Sequence, residues 1–202
     1  MAEITIEATI DSYMSANFPD SNFDADDEIF VGATYFGGDK VNRHRGIANF
    51  DCSAIAGVVV NSAKLIRYLT AVTNTPHGMV LTRCTRPADW TEAGVTWNKY
   101  DGTKAWTTGG GDWDASTPTN ITWDSPLSTG NHELLGLKTF VEDAFDNRNN
   151  IVSIIIRLSD EAPGVSTQSI WRGINFGSDI WRLVIDYVSP PANRRRVVGQ
   201  VI

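Results

Sequence analysis

Ile4, Ile6, Ala8 and Ile10 alternate with polar residues in ITIEATI. A chain that is apolar at every second position presents one buried face only when it is extended as a β-strand. Comparable runs recur at EIFVGATYF, RGIANFD, AKLIRYLTAV, GMVLTRCT, IVSIIIRLS and WRLVIDYV. Turn-forming stretches separate them: PDSN, GGDK, NTPHG, DGTK, TTGGGD, STPTN and SDEAPG. Many short strands punctuated in this way predict an all-β fold, a jelly-roll-like β-sandwich. One segment departs from the pattern. Leu134, Leu137, Phe140, Val141 and Phe145 recur at three- and four-residue steps in NHELLGLKTFVEDAFDNRNN, which predicts one short helix covering an open end or edge of the sandwich.

A chain of 202 residues accommodates one sandwich, here residues 1–188, and an extended tail at 189–202. Apolar residues at 42% and charged residues at 20% suffice for a core without disulfides or metals. Cys52 and Cys84 lie in apolar stretches without zinc-type spacing and read as buried thiols. A net charge of -7 argues against a nucleic-acid partner, which needs a basic face. No segment is long and apolar enough for a membrane span, so no membrane partner is expected. The start, MAEITIEATIDSYM, has neither the basic end nor the apolar run of a secretory signal, which predicts synthesis and release in the host cytoplasm.

The tail, SPPANRRRVVGQVI, contains three arginines and no acid, so the body without it carries about -10. The prolines favour a stiff extended stem. Beyond them, Arg194, Arg195 and Arg196 suit acidic groups on a partner, and Val197 and Val198 suit an exposed sheet edge. The opposing reading is a frayed terminus.

The strings DSYMSANFPDSNF, EIFVG, RGIANFDCSAIAG, VVVNSAKLIRYLT and WTEAGVTWN follow one another in order. Together they resemble the DNRLRE, or disaggregatase-related, β-sandwich domain, which is grouped with a carbohydrate-binding module family. The resemblance extends over about residues 10–188. It departs from the family pattern at Asp24, at Ile47, Ala48 and Asn49, and at Cys52. It implies a sandwich that binds polysaccharide or serves as a phage structural component.

Trp90, Trp97, Trp106, Trp113 and Trp123 crowd into a glycine-rich stretch. A sugar platform requires exposed flat rings beside groups that hydrogen-bond hydroxyls. Trp90 and Trp97 read as pins that hold an irregular loop to the sandwich. Trp106 and Trp113, set among DGT and GGG, are equally readable as pins or as a glycan or surface-binding face. Tyr100 and Asp112 belong to the same candidate set, and Asp101, Asp114 and Asn120 supply further polar groups.

Asp20, Asn22 and Asp24 alternate, as calcium ligands on an extended loop do, but Ala25 and Val31 stand where an EF-hand needs Gly and Glu. The readings left open are a looser calcium site and an acidic turn facing water. No other cofactor is expected. The chain has no nucleophile elbow, and His44, His77 and His132 lack metal-ligand spacing. TTGGGDW lacks the Lys-Ser/Thr ending of a phosphate loop and reads as a flexible turn.

The leading expectation is therefore a non-enzymatic phage virion protein, a capsid decoration or head/tail accessory component. It docks on neighbouring subunits as a homo-oligomer or within a lattice, and presents an adhesive surface. The alternative is a carbohydrate-binding module gripping a polysaccharide through the Trp-rich loops. A hydrolase on the same scaffold is the third reading.

Overall fold

The computed structural model describes residues 1–36, 40–73, 77–116, 120–126, 128–161 and 166–189. Within them lie strands β1 (Ala2–Glu7), β2 (Ile10–Ser15), β3 (Glu28–Phe36), β4 (Lys40–Asp51), β5 (Val59–Val72), β6 (Gly78–Arg83), β7 (Asn120–Asp124), β8 (Gly130–Leu135), β9 (Ile151–Leu158), β10 (Thr167–Arg172) and β11 (Arg182–Val188), with helix α1 (Lys138–Asn147) between β8 and β9. The all-β sandwich expected from the alternation is what forms.

Two long strands make the curl. β4 pairs with β3 near its start, then with β2 on one side and β9 on the other. β5 pairs first with β11 and β8, then with β10. Strands that change partners along their length let one antiparallel, hydrogen-bonded sheet fold over itself and enclose a core. That core contains Phe50, Leu65, Leu69, Leu81, Phe140, Trp171 and Trp181.

The helix is shorter than the periodicity predicts. Leu134 belongs to β8, opposite Leu65 of β5, and Gly136, at φ +93°, ends the strand in a conformation that favours glycine. The Leu137 amide then donates to the Ala63 carbonyl at 3.0 Å, and α1 buries Phe140, Val141 and Ala144 against β5 and β9. Apolar steps of three across 134–137 belong to two elements meeting the same core. Residues 4–10 likewise form two strands, because the Ala8 amide donates to Trp181 and the Thr9 amide to Asn49, handing the chain from one edge to another.

β9 contains the run Ile154-Ile155-Ile156, all three buried. Ile154 and Ile156 face the main core, whereas Ile155 joins a second cluster with Met14, Ile47, Cys84, Trp90, Val95, Tyr100 and Trp106. This part of the sheet is covered on both faces, which is why its sequence does not alternate. The covering layer is the Trp-rich segment between β6 and β7, and the candidate site lies on it. Cys52 and Cys84 are buried and unbonded to each other, as read from the sequence.

Candidate functional site

The segment between β6 and β7 is held by polar bonds to the sheet beneath. Trp90 donates its indole N–H to Asn49 Oδ1 at 2.9 Å and approaches Ser153 Oγ at 3.2 Å. Asn49 returns its amide N–H to the Pro87 carbonyl at 2.8 Å. Asn49 thus anchors the loop. Trp106 donates to the Thr96 carbonyl at 2.9 Å and is 5% exposed. Tyr100 is buried beside it, with ring centroids 5.5 Å apart. Both residues were candidates for a binding face. Packing turns them inward, and they serve as its floor.

Above that floor lies an alternation of rings and cations. The Arg45 guanidinium lies 4.6 Å from the ring centroids of both Trp97 and Trp113, and Arg157 lies 4.8 Å from Trp113. Arg45 also forms a two-bond pair with Glu161, at 2.6 Å from Nε and from Nη2, and its Nη1 donates to the Gly109 and Gly110 carbonyls. The GGG turn is therefore fixed rather than flexible. At Gly110, φ is +83° and an added Cβ would come within 2.8 Å of the Trp97 ring, so only glycine allows this approach.

A cleft of 310 Å³ opens beside this stack, lined by Thr85, Arg86, Thr107, Thr108, Asp112 and Trp113, with Gly111 at its base. It brings together two sequence candidates, Asp112 and Trp113, with neighbours that were not singled out. Arg86 Nε donates to Asp112 Oδ2 at 2.7 Å, and the guanidinium lies 4.8 Å from the buried Tyr100 ring. The Thr107 amide donates to Oδ2 at 3.1 Å and the Thr108 amide to Oδ1 at 3.0 Å. Partial burial pushes the Asp112 carboxyl up, but the Arg86 and amide hydrogen bonds outweigh it and hold the group below the usual range. Oδ2 takes the Arg86 and Thr107 bonds and Oδ1 the Thr108 bond, so Oδ1 is the less occupied oxygen. Arg86 was missed because it stands alone in TRPADW, and sequence spacing does not show that it meets Asp112 across 26 residues.

The remaining candidates organise loops. Asp101 accepts from the Thr103 amide and hydroxyl and from the Lys104 amide, the last at 2.6 Å. These bonds, the Lys104 amide foremost, hold its carboxyl far below the ordinary value. Asp114 accepts from the Ser116 hydroxyl and amide and from Arg83, which bring it to about 2. The Asn120 side chain falls outside the described residues.

Asn22 donates both of its bonds to the Glu92 and Val95 carbonyls, and its Oδ1 accepts from the Asp24 amide. Its amide therefore staples the Trp-rich segment to the loop after β2. Asp20 accepts from Asn98 at 3.1 Å. No group of three or more His, Cys, Asp and Glu side chains suited to a metal occurs among the described residues.

Of the histidines, His77 lies 3.3 Å from the Ser169 hydroxyl, but both are buried, with the Met79 sulfur 3.9 Å from that hydroxyl. They belong to the interior, where no substrate carbonyl would meet the serine. Arg194, Arg195, Arg196, Val197 and Val198 lie outside the described residues.

The model of carbohydrate-binding module family 96 matches residues 2–125, more than half of the chain, taking in β1 to β7 and the whole Trp-rich segment. No curated protein matches the chain.

Proposed function

The chain belongs to carbohydrate-binding module family 96, and from that membership we propose that it is a non-catalytic glycan-binding module whose ligand lies in the cleft between Arg86 and Trp113. The observation that carries this reading is the pairing of Arg86 with Asp112. The Arg86 Nη groups, whose own contacts to Thr107 (3.5 Å) and Asp89 (3.8 Å) are long, donate to one sugar hydroxyl, and Asp112 Oδ1 accepts from its neighbour. Thr85 and Thr108 add exposed hydroxyls, and the uncovered part of the Trp113 ring supplies apolar contact for pyranose C–H groups.

The cleft is built in advance. Asp112 is fixed by two amides and Arg86 by Tyr100, so little side-chain entropy is lost on binding. Glycoside cleavage needs one carboxyl kept protonated near neutrality. Asp112, the one carboxyl in the lining, is shifted in the opposite direction, which supports binding without turnover.

Affinity electrophoresis and titration calorimetry against a panel of polysaccharides test the proposal. Retention by one or more glycans is expected, with Arg86→Ala and Asp112→Asn each weakening it at least about tenfold, the effect of losing a charge-assisted hydrogen bond, while the fold persists. Binding that ignores both substitutions, or no retention by any glycan, sinks the cleft assignment.

A place on a phage particle, as a decoration or head/tail accessory protein, is a second reading. It is supported by the basic, aliphatic tail on an acidic body, and it coexists with glycan binding in an adhesive particle protein. Its test is the presence of the intact chain in purified particles at a fixed copy number.

A further inference from the structure

On the outer face of the sheet, the strands β1, β11, β5 and β8 border a hollow of 540 Å³ that includes Met1, Glu3, Lys64, Leu135, Val184 and Asp186. Glu3 stands directly opposite Asp186 in the β1–β11 register. Like charges in directly opposed positions on antiparallel strands destabilise the pair. The lysine of the lining is engaged elsewhere, because Lys64 is 2.8 Å from Glu133. Asp186 receives only a long contact of 3.5 Å from Asn61. Beside the two acids, Leu135 is 66% exposed. Glu3 and Asp186 outnumber the one cation of the lining that remains, the Met1 terminal ammonium, and stand beside bare aliphatic surface, which matches a segment that is basic and aliphatic in consecutive positions.

This chain contains such a segment at Arg194-Arg195-Arg196-Val197-Val198. It follows Pro190 and Pro191, which disfavour helix at the residue before each and stiffen the stem leaving β11. An extended stem of Ser189 to Asn193 spans roughly 15 Å at about 3.1 Å per residue. A stem of that length is long enough to carry the arginines to another molecule.

We propose that residues 194–198 of one copy seat in this hollow on a second copy. The guanidinium groups meet Glu3 and Asp186, and the valines cover Leu135. This self-association is independent of the glycan reading, since the hollow and the cleft share no residue.

Sedimentation velocity on the full chain over a concentration series tests it, because a tail folded onto its own body gives no concentration dependence. Association is expected at low salt and weakens as salt rises, since exposed ion pairs are screened. One variant reverses the hollow (Glu3→Lys with Asp186→Lys), and another reverses the tail (Arg194, Arg195 and Arg196→Glu). Each alone is expected to weaken association at least about tenfold, and mixing the two restores it. The tail variant leaves the sandwich untouched, so its result stands even if the hollow variant folds poorly. A full chain that stays monomeric to about 100 μM, association that survives the tail reversal, or folded partners that fail to restore it when mixed overturns the proposal.

Discussion

Trp90 and Asn49 are 41 residues apart in sequence, and the indole N–H of one lies 2.9 Å from the side-chain oxygen of the other. Both are buried, and Asn49 also holds the Pro87 carbonyl at 2.8 Å. One amide on β4 thereby fixes the entrance of the segment that forms the cleft. Replacing Asn49 with leucine keeps a side chain of similar size but removes an acceptor and a donor inside a packed layer. Leaving buried polar groups unpaired costs about 1–3 kcal/mol each. Urea unfolding of Asn49→Leu is expected to show a loss in this range, with glycan affinity falling in parallel. An unchanged midpoint would mean that Ser153 alone satisfies the indole.

Arg45 is the pillar of the stack. Its charge is buried, paired with Glu161, and covered by Trp97 and Trp113. Removing one partner of a buried pair typically costs about 3–5 kcal/mol because the other is left uncompensated. Arg45→Met is expected to destabilise by an amount of that order, and a second change, Glu161→Gln, to return part of it. Strictly additive losses in a double-mutant cycle would show that the two side chains do not act together.

Asp11 joins β2 to the turn after β10 by accepting from the Ile174 amide at 3.0 Å. Its carboxyl is raised to about 7: burial is the main cause, the Ile174 amide opposes it, and the neighbouring Glu92 adds to the rise. A folded-state value above the unfolded one makes the protonated acid a stabilising form. That contribution is complete below about pH 4 and is lost as pH rises toward 7. Asp11→Asn keeps an acceptor for Ile174 and cannot ionise. It is expected to raise stability at pH 8 by roughly 2 kcal/mol or more and to have little effect at pH 4, read from urea unfolding at both values. An equal gain at both pH values would rule out the ionisation as its source.

Arg67 occupies an inward position of β5, between Leu65 and Leu69, and is almost completely buried. Its guanidinium lies 4.1 Å from the Trp171 ring and 4.8 Å from that of Trp123, while Nε and Nη1 have no hydrogen-bond partner. Burial pulls it down to about 9. Desolvated cation–π contacts are worth about 2 kcal/mol each, which does not exceed the several kcal/mol of burying a charge. Arg67→Met, which keeps the volume between the rings, is expected to match or exceed the parent in thermal stability. Arg67→Ala is expected to lose about 2–5 kcal/mol to the cavity. A Met variant as damaged as the Ala variant would show that the charge itself holds the rings.

The sandwich was legible in the residues because alternation at Ile4 and Ile6, or along AKLIRYLTAV, reports directly which side of a strand meets the core. Trp90 was likewise legible as a pin. The cleft was legible only in part. Asp112 and Trp113 are among its walls, but Tyr100 and Trp106 lie below it, and Arg86, Thr107 and Thr108 complete it. An aromatic or acidic residue in a glycine-rich loop has the same sequence signature whether it faces water or a second apolar layer.

Sequence by itself determined the strands β1, β3, β4, β5, β6, β9 and β11, the charge contrast between body and tail and the absence of a nucleophile elbow, since each depends on near neighbours along the chain. Only the tertiary structure decided which tryptophans are covered, that Asn49 and Arg45 hold the Trp-rich segment, and that Arg86 meets Asp112. Those outcomes depend on which strands become neighbours when β4 and β5 change partners, and local propensity does not encode contacts made across distant registers.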